Sequence, residues 1–250
     1  MDPYYQDEHV TLYHGDASLI IPTLRDTHGA FDAVMADPPY SSGGMVRGDR
    51  SQSTGSKYVR SDAKRQLTDF TGDNRDQRGY LAWSNLWMGE ARDVLTPGGI
   101  FAAFTDWRQL PITTDALQVA GLIWRGIIPW YKPGGRHTHG RPANLCEYIV
   151  WGTNGPRPLD VPGAETMSGF WQERAPRDRV HQTQKPNGLM EWLVGVAGEG
   201  GLVLDPFAGS GSTLLAAAQT GRRAVGIELS EHYCEIIAKR LAQGALDLTI

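Results

Sequence analysis

The chain has few of the residues that cross-link small domains through disulfides or metal ions. Its 250 residues include only two cysteines, Cys146 and Cys234, which are too few for a disulfide framework or a zinc site by themselves. No set of histidine, cysteine and acidic residues has the spacing of metal ligands, so we expect no metal ion. We predict that Cys146 lies in a strand and Cys234 in a helix, both as buried thiols, which suits a reducing cytoplasm.

Long apolar segments are also absent from the sequence. No apolar run reaches the roughly 18 residues that a membrane-spanning helix needs, and the acidic, polar N-terminus does not have the pattern of a signal peptide. We therefore expect a cytoplasmic protein without a membrane partner. A length of 250 residues and a hydrophobic content of 40% predict a single domain, residues 1–250, that can bury an α/β core.

Positive charge is not in excess over the whole chain, which has 24 Lys and Arg residues against 28 Asp and Glu residues and a formal net charge of −4. Proteins that bind nucleic acid are usually basic on one face, so the total argues against such a partner. Basic residues nevertheless concentrate in two stretches, 41–79 and 125–141. We expect one basic face there, with an ordinary solvated surface as the alternative. Its candidate contacts to nucleic acid are Arg47, Arg50, Lys57, Arg60, Lys132, Arg136 and Arg141.

The segment 202–213 predicts a buried strand, a glycine turn and the start of a helix. Leu202–Leu204 is a short apolar run, and Gly209 and Gly211 have no Cβ, so the backbone there can approach a ligand closely. The first amide groups of the following helix have no partners within it and favour a polar or anionic group. Two phosphate-binding fingerprints are incomplete, because Leu214 stands where a third glycine is expected and the turn has no lysine.

An acidic residue ends the next predicted strand, 223–228. The Glu228 carboxylate can bind both hydroxyls of a ribose, as acidic residues do in dinucleotide-binding folds. The pattern therefore indicates a pocket for a nucleoside cofactor, and a tight turn before a helix with no ligand is the alternative.

A second motif, Asp37-Pro38-Pro39-Tyr40, follows the apolar strand 31–36. Ligands of open α/β sheets bind at the carboxyl ends of the strands, so polar residues there are candidates for a site. Asp37 can accept one N–H of an exocyclic amine and the Pro38 carbonyl can accept the other, while Tyr40 offers a flat face to a base. On its own the motif is equally typical of a proline-containing turn.

Together the two segments resemble the amino-group DNA methyltransferases that use S-adenosylmethionine, and their order along the chain is that of the beta class. The resemblance covers most of the chain. It implies an α/β fold, a three-layer sandwich with a Rossmann-like, mostly parallel seven-stranded sheet that has one antiparallel strand. It also implies transfer of a methyl group from S-adenosyl-L-methionine to the N6 amino group of a flipped adenine in duplex DNA, because aspartate in the first motif position mostly accompanies adenine in that family.

The resemblance leaves the N4 amino group of cytosine as the alternative target. Methylation of RNA or protein matches less well, because such relatives more often begin the motif with asparagine and have the glycine turn before it. An inactive DNA-binding module is a further alternative, against which the intact Asp37, Tyr40 and Asp205 argue.

The resemblance assigns two roles to candidate residues. The catalytic candidates are Asp37, Pro38, Pro39 and Tyr40. The candidates for binding the cofactor are Asp16, Lys185, Asp205, Pro206, Phe207, Gly209, Gly211, Ser212, Thr213 and Glu228. Asp16 also suits the N-cap of a helix, which is compatible with a cofactor contact, and a surface lysine is the alternative for Lys185.

Two irregular stretches interrupt the predicted helices and strands. The loop 41–79 follows the catalytic motif directly, and we expect it to close over DNA, with an insertion of no role as the alternative. The segment 152–180 matches the place of the family's target-recognition segment. The resemblance further implies a homodimer, and a restriction endonuclease is a candidate partner.

The apolar spacing predicts a helix over 80–95 that Pro97, Gly98 and Gly99 should end. A strand is expected over 100–105, followed by a helix over 111–120. Further predictions are a hairpin of strands 122–130 and 146–151, a helix over 187–196 and a last helix from 231 to about 243.

Overall fold

The computed structural model describes residues 1–41, 75–135, 139–176 and 184–247. The strands are β1 (Tyr5–Gln6), β2 (Val10–His14), β3 (Phe31–Ala36), β4 (Leu95–Thr105), β5 (Ile123–Tyr131), β6 (Cys146–Thr153), β7 (Trp171–Gln172), β8 (Leu202–Asp205) and β9 (Arg223–Glu228). The helices are α1 (Ala17–His28), α2 (Gln77–Val94), α3 (Leu110–Val119), α4 (Asn187–Val194), α5 (Ser212–Gln219) and α6 (Glu231–Asp247), and a 3₁₀ turn follows α4 at Gly195–Ala197.

The described strands form one sheet in the order β1-β2-β9-β8-β3-β4-β6-β5-β7. From β2 to β4 all neighbours are parallel, whereas β6 runs antiparallel to both β4 and β5. The seven longer strands therefore confirm the expected sheet with its one antiparallel strand. Two strands of two residues extend it beyond the expectation, β1 antiparallel to β2 and β7 parallel to β5.

Helices cover both faces of the sheet and bury a separate apolar cluster on each. On one face, α1, α2 and α3 pack through side chains such as Ile21, Trp87 and Leu117. On the other face, α4, α5 and α6 pack through side chains such as Leu193 and Ile237. Because both faces are covered, the central strands are buried on both sides, as parallel sheets require. The fold is the expected three-layer sandwich.

The boundary between α2 and β4 differs from the expectation. Helix α2 ends at Val94, and β4 begins at the next residue, so Pro97, Gly98 and Gly99 lie within the strand and do not end the helix. The Asn154 amide donates to the carbonyls of Arg92 and Leu95, at 3.3 and 3.1 Å. The Leu95 N–H also donates to the Arg92 carbonyl, so a distant side chain adds to the hydrogen bonds at the helix end, which the local sequence could not reveal.

Other boundaries also moved. Helix α2 begins at Gln77, inside the expected 41–79 loop, because the Asp76 carboxylate accepts the amide N–H of Gly79 at 2.7 Å and caps it. The first two residues of the expected segment 152–180 belong to β6, and β7 lies within that segment.

The two cysteines lie in a strand and a helix, as predicted, but only one is fully buried. Cys234 is inaccessible to solvent, whereas Cys146 is half-buried at the start of β6, where the edge of the sheet is open to a cavity. None of the helices in the described part of the chain combines the length and apolar character that crossing a bilayer needs.

The close packing of α5 on the sheet depends on a glycine in β9. A Cβ placed on Gly226 would lie 2.6 Å from Cδ1 and 3.0 Å from Cδ2 of Leu214, whose side chain is fully buried. In the dinucleotide fingerprint a glycine on the helix allows this approach. Here the glycine is on the strand, and the leucine is on the helix.

Gly226→Ala is therefore expected to lower the free energy of unfolding by about 1–3 kcal/mol, because Leu214 must move within a filled core. Urea denaturation measures the change. Gly89→Ala is the matched control: nothing lies within 4 Å of its added Cβ on α2, so a gain of roughly 0.5–1 kcal/mol from helix propensity is expected. Equal effects of the two substitutions would contradict the packing argument.

Candidate active site

Several strand ends meet at the carboxyl edge of the sheet and enclose a cavity of about 1300 Å³. Strands β2, β3, β8 and β9 are parallel and adjacent, so the residues after them reach the same edge. The lining therefore combines Asp16, the Asp37–Tyr40 motif, the turn after β8 and Glu228. The two motifs that lie far apart in the sequence open on one pocket.

The turn after β8 is built around a buried carboxyl group. Asp205 is 3% exposed, and its Oδ1 accepts the amide N–H of Phe207 at 3.0 Å. Burial raises the pKa of Asp205 to about 7, although the hydrogen bonds from Thr213 and Phe207 act in the opposite direction. Near neutral pH, the Asp205 carboxyl group is therefore divided between its protonated and charged forms.

Glu228 fastens the same turn to the neighbouring strand. One carboxylate oxygen accepts the Gly209 amide N–H at 2.8 Å, and the other accepts the Ser230 amide N–H at 2.8 Å. Burial raises the pKa of Glu228, and these backbone donors partly offset the effect. Each oxygen has a second lone pair, so the carboxylate can still accept hydroxyl groups from a ligand.

The two glycines of the turn do different work. Gly209 and Gly211 both have left-handed φ angles, of 53° and 77°, which glycine adopts without strain. Gly209 lines the cavity, whereas Gly211 does not. A Cβ on Gly211 would lie 3.0 Å from Ile237 on α6, so Gly211 serves the packing behind the turn. Pro206, Ser212 and Thr213 line the cavity as predicted.

An aromatic wall, which the sequence did not reveal, supports Phe207. Its ring centroid lies 4.9 Å from that of Trp87 and 5.7 Å from that of Trp83, both on α2. Trp83 also lines the cavity, and the Arg75 guanidinium lies 4.2 Å above its ring. The spacing of the tryptophans, one helical turn apart, was the available signal, but such spacing is equally typical of a buried core.

A lysine lies beside the Asp-Pro-Pro-Tyr motif. The Lys185 ammonium is 2.5 Å from Asp37 Oδ2, and the Tyr40 hydroxyl donates to Asp37 Oδ1 at 2.7 Å. Lys185 is only 5% exposed, so the surface-lysine alternative was wrong. Burial raises the pKa of Asp37, and Lys185 opposes the rise by stabilising the charged carboxylate.

A second carboxylate completes this group of side chains. Glu147 Oε1 accepts from the Lys132 ammonium at 2.7 Å, and Oε2 lies 3.6 Å from Lys185 Nζ and 3.3 Å from the Tyr40 hydroxyl. Burial by itself would raise the pKa of Glu147, but Lys185 and Lys132 together hold it below the usual value. Sequence reasoning missed Glu147 because it begins a strand. Since β6 is antiparallel, the start of this strand lies at the edge where the parallel strands end.

The predicted DNA contacts are only partly within the described residues. Lys132 lines the cavity and pairs with Glu147, while Arg141 is exposed and lies outside the cavity lining. Arg47, Arg50, Lys57, Arg60 and Arg136 lie outside the described residues. Asp16 caps α1 by accepting the Ser18 amide N–H at 2.8 Å, and it also lines the cavity.

The sheet, the glycine turn and the acidic strand end define a Rossmann-like α/β protein with a nucleoside-type cofactor pocket. The chain belongs to the N6-adenine/N4-cytosine DNA methylase family, whose sequence model, described as DNA methylase, matches residues 31–239. That range contains Asp37–Tyr40, the turn after β8 and Glu228.

Individual relatives agree with this family over nearly the whole chain. The Type II methyltransferase M2.LlaDCHI of Lactococcus lactis subsp. cremoris is 27% identical over 97% of this chain and 93% of its own length. Among solved structures, the M1.HpyAVI–SAM complex has a TM-score of 0.65 at 24% identity and covers 93% of this chain and 98% of its own. The cytosine-N4-specific PvuII DNA methyltransferase has a TM-score of 0.70 at 16% identity, covering 95% and 88% respectively.

Asp205→Asn is expected to alter how stability depends on pH. The folded-state pKa of about 7 lies above the ordinary 3.8, so between those values the unfolded chain releases a proton that the folded chain keeps. Stability is therefore lost as pH rises toward 7. Asparagine keeps the acceptor for Phe207 without this charge. The free energy of unfolding of the variant, relative to that of the wild type, should therefore rise by about 2–3 kcal/mol from pH 5 to pH 8.

Urea unfolding at both pH values measures that gain. Asp26→Asn, an exposed carboxylate on α1, is the control and should follow the wild type at both. A constant difference between Asp205→Asn and the wild type across the pH range would show that burial does not raise the pKa of Asp205.

Proposed function

We propose that the protein transfers a methyl group from S-adenosyl-L-methionine to the N6 amino group of adenine in duplex DNA. Membership of the DNA methylase family supports the reaction class. The observation that carries the proposal is that Asp37–Tyr40 and the turn after β8 open on one cavity. An amine held by Asp37 would therefore face a cofactor held by the turn.

The residues of the pocket suit S-adenosyl-L-methionine. Glu228 offers a carboxylate to the ribose hydroxyls, Asp205 can receive a cationic ammonium group, and Phe207 presents a supported aromatic ring. When bound, the cofactor would supply a methyl group on a cationic sulfonium; the amine that takes up this group would release an N–H proton to water, and the S–C electron pair would stay on sulfur.

The Asp-Pro-Pro-Tyr motif would orient the amine. Asp37 accepts one N–H and the Pro38 carbonyl the other, so the nitrogen lone pair points at the methyl group. Both Asp37 oxygens already accept a hydrogen bond, one from Tyr40 and the other from Lys185, but each oxygen retains a second lone pair. Lys185 opposes the protonation that burial favours, and only a charged carboxylate has all its lone pairs available.

The target base has to leave the duplex to reach this pocket. A base inside the stack cannot bring its amino group to a recessed carboxylate, so base flipping is part of the proposal. The Tyr40 ring can stack on the extruded base, and such stacking contributes roughly 1–3 kcal/mol, comparable with the cost of unstacking.

Adenine is preferred because aspartate occupies the first position of the motif. Cytosine N4 is the second candidate, and the resemblance of the fold to the cytosine-N4-specific PvuII enzyme favours keeping it. The proposal extends to the loop 41–79 and the segment 152–180, which would contact DNA and its target sequence, and to the candidate contacts Lys132 and Arg141. A homodimer and an endonuclease partner stay predictions.

The first test is methylation of unmethylated duplex DNA with S-adenosyl-L-methionine, with the product nucleosides identified by mass spectrometry. N6-methyladenine is the expected product. N4-methylcytosine would agree with the mechanism and contradict the choice of adenine as the target base.

Asp37→Ala should reduce transfer at least a hundredfold, with cofactor affinity retained, since the carboxylate orients the amine. Asp26→Ala, exposed on α1, is the control. Transfer that survives in Asp37→Ala would refute the mechanism.

Phe207→Ala should weaken cofactor binding by about tenfold, or ~1.4 kcal/mol, because an apolar wall of the pocket is lost. Isothermal titration calorimetry measures the dissociation constant. Leu19→Ala, 74% exposed on α1, removes apolar surface elsewhere and should not change it. An unchanged affinity in Phe207→Ala would place the cofactor away from the turn.

A further inference from the structure

The proposed reaction leaves one half-buried carboxylate without a role. Glu147 contacts Lys132, Lys185 and the Tyr40 hydroxyl, but it is not part of the motif that would hold the amine. Its side chain is 21% exposed, so its charge is only partly hydrated. A carboxylate in such a place is costly unless cations compensate it, and this protein supplies two.

These side chains form a group with balanced charges, the acceptor cluster, which consists of Asp37, Tyr40, Glu147, Lys132 and Lys185. Every member is within 4 Å of another: Asp37 to Lys185 is 2.5 Å, Lys185 to Glu147 is 3.6 Å, and Glu147 to Lys132 is 2.7 Å. The two carboxylates and two ammonium groups cancel. Without Glu147, the acceptor cluster would carry one surplus positive charge.

We propose that Glu147 is a charge-balancing positioning residue for methyl transfer, which keeps the acceptor cluster neutral while Lys185 holds Asp37. The inference rests on the proposed function. Glu147 acts through Lys185 and Lys132 and does not itself touch the reacting amine.

The physical reason lies in where charge moves during the reaction. Positive charge passes to the amine nitrogen beside Asp37 until the N–H proton is lost. A surplus ammonium charge a few ångströms away opposes that step, and in a partly dehydrated pocket the repulsion is weakly screened.

A purely structural role for Glu147 predicts something different. Glu147 also fixes Lys132 by a hydrogen bond and lies 3.3 Å from the Tyr40 hydroxyl, so its removal can act through geometry alone. Glu147→Gln retains the side-chain length and one acceptor oxygen, but it removes the charge and replaces the other oxygen by an NH2 group that only donates. Comparing it with a variant that also lacks the Lys132 charge separates the two explanations. Lys132→Met removes the cation that pairs with Glu147. The double variant, Glu147→Gln with Lys132→Met, therefore has no surplus charge, but it lacks the hydrogen bond between these two side chains.

The experiment measures the rate of methyl transfer in a single turnover, with enzyme and S-adenosyl-L-methionine in excess over DNA. At enzyme concentrations well above the dissociation constant of each variant for DNA, weakened DNA binding does not affect the rate. Glu147→Gln should lower it by about 10- to 100-fold, and Glu147→Gln with Lys132→Met should recover at least tenfold of that loss. Lys132→Met alone should remain at least tenfold faster than Glu147→Gln. Glu235→Gln is the control and should match the wild type, because it removes the carboxylate of an exposed ion pair with Lys239 on α6.

A second readout does not depend on turnover. Dissociation constants are measured for S-adenosyl-L-methionine, which is cationic at sulfur, and for S-adenosyl-L-homocysteine, which is neutral there. Glu147→Gln should weaken the first relative to the second by about threefold or more, and the double variant should restore the ratio. Loss of packing or of hydrogen bonds would change both ligands alike. Thermal unfolding midpoints establish that each variant is folded.

The outcomes separate failure of this inference from failure of the proposed function. A wild type that methylates no DNA overturns the proposed function. An active wild type with a double variant as slow as Glu147→Gln, or with Glu147→Gln as fast as the wild type, overturns charge balance. If Glu147→Gln does not fold, the double variant decides through ligand binding: a ratio of the two dissociation constants that differs from the wild-type ratio by about threefold or more contradicts the inference.

Discussion

The Lys185 ammonium, buried between the carboxylates of Asp37 and Glu147, is the interaction on which the rest of the pocket depends. Removing an ammonium group and two carboxylates from water is unfavourable, and only close pairing compensates the loss of hydration. Lys132 supplies the remaining positive charge. The ion pairs therefore fix the positions of these side chains, because moving one of them would leave a charged neighbour without its partner.

The sheet makes this pairing possible. Parallel strands bring their carboxyl ends to one edge, which places Asp37 next to the turn after β8 and Glu228. The single antiparallel strand, β6, adds residues from its beginning to the same edge, and this is how Glu147 reaches the pocket. One reversed strand thus contributes a side chain that a uniformly parallel sheet would place at the opposite edge.

Packing behind the pocket is equally specific. Gly226 allows Leu214 to lie against β9, and Gly211 allows the turn to approach α6. Trp83 and Trp87 hold the ring of Phe207 from the other side. The carboxyl group of Asp205 is buried among these elements, which raises its pKa to about 7 and makes its charged form costly to stability. The packing contacts of Gly211, Trp83 and Trp87 therefore surround the turn that contains the buried Asp205 carboxyl group.

The sequence by itself determined the fold class, the two motifs and their family, because short apolar runs, glycines and an Asp-Pro-Pro-Tyr segment are local signals. It also located Lys185 among the cofactor candidates, although not its partner. Only the tertiary structure decided that Lys185 pairs with Asp37 and Glu147, that Asn154 binds carbonyls at the end of α2 and that Trp83 lines the cavity. Each of these depends on contacts between residues more than thirty positions apart. Such contacts are set by strand order and helix packing, and no local pattern in the chain encodes them.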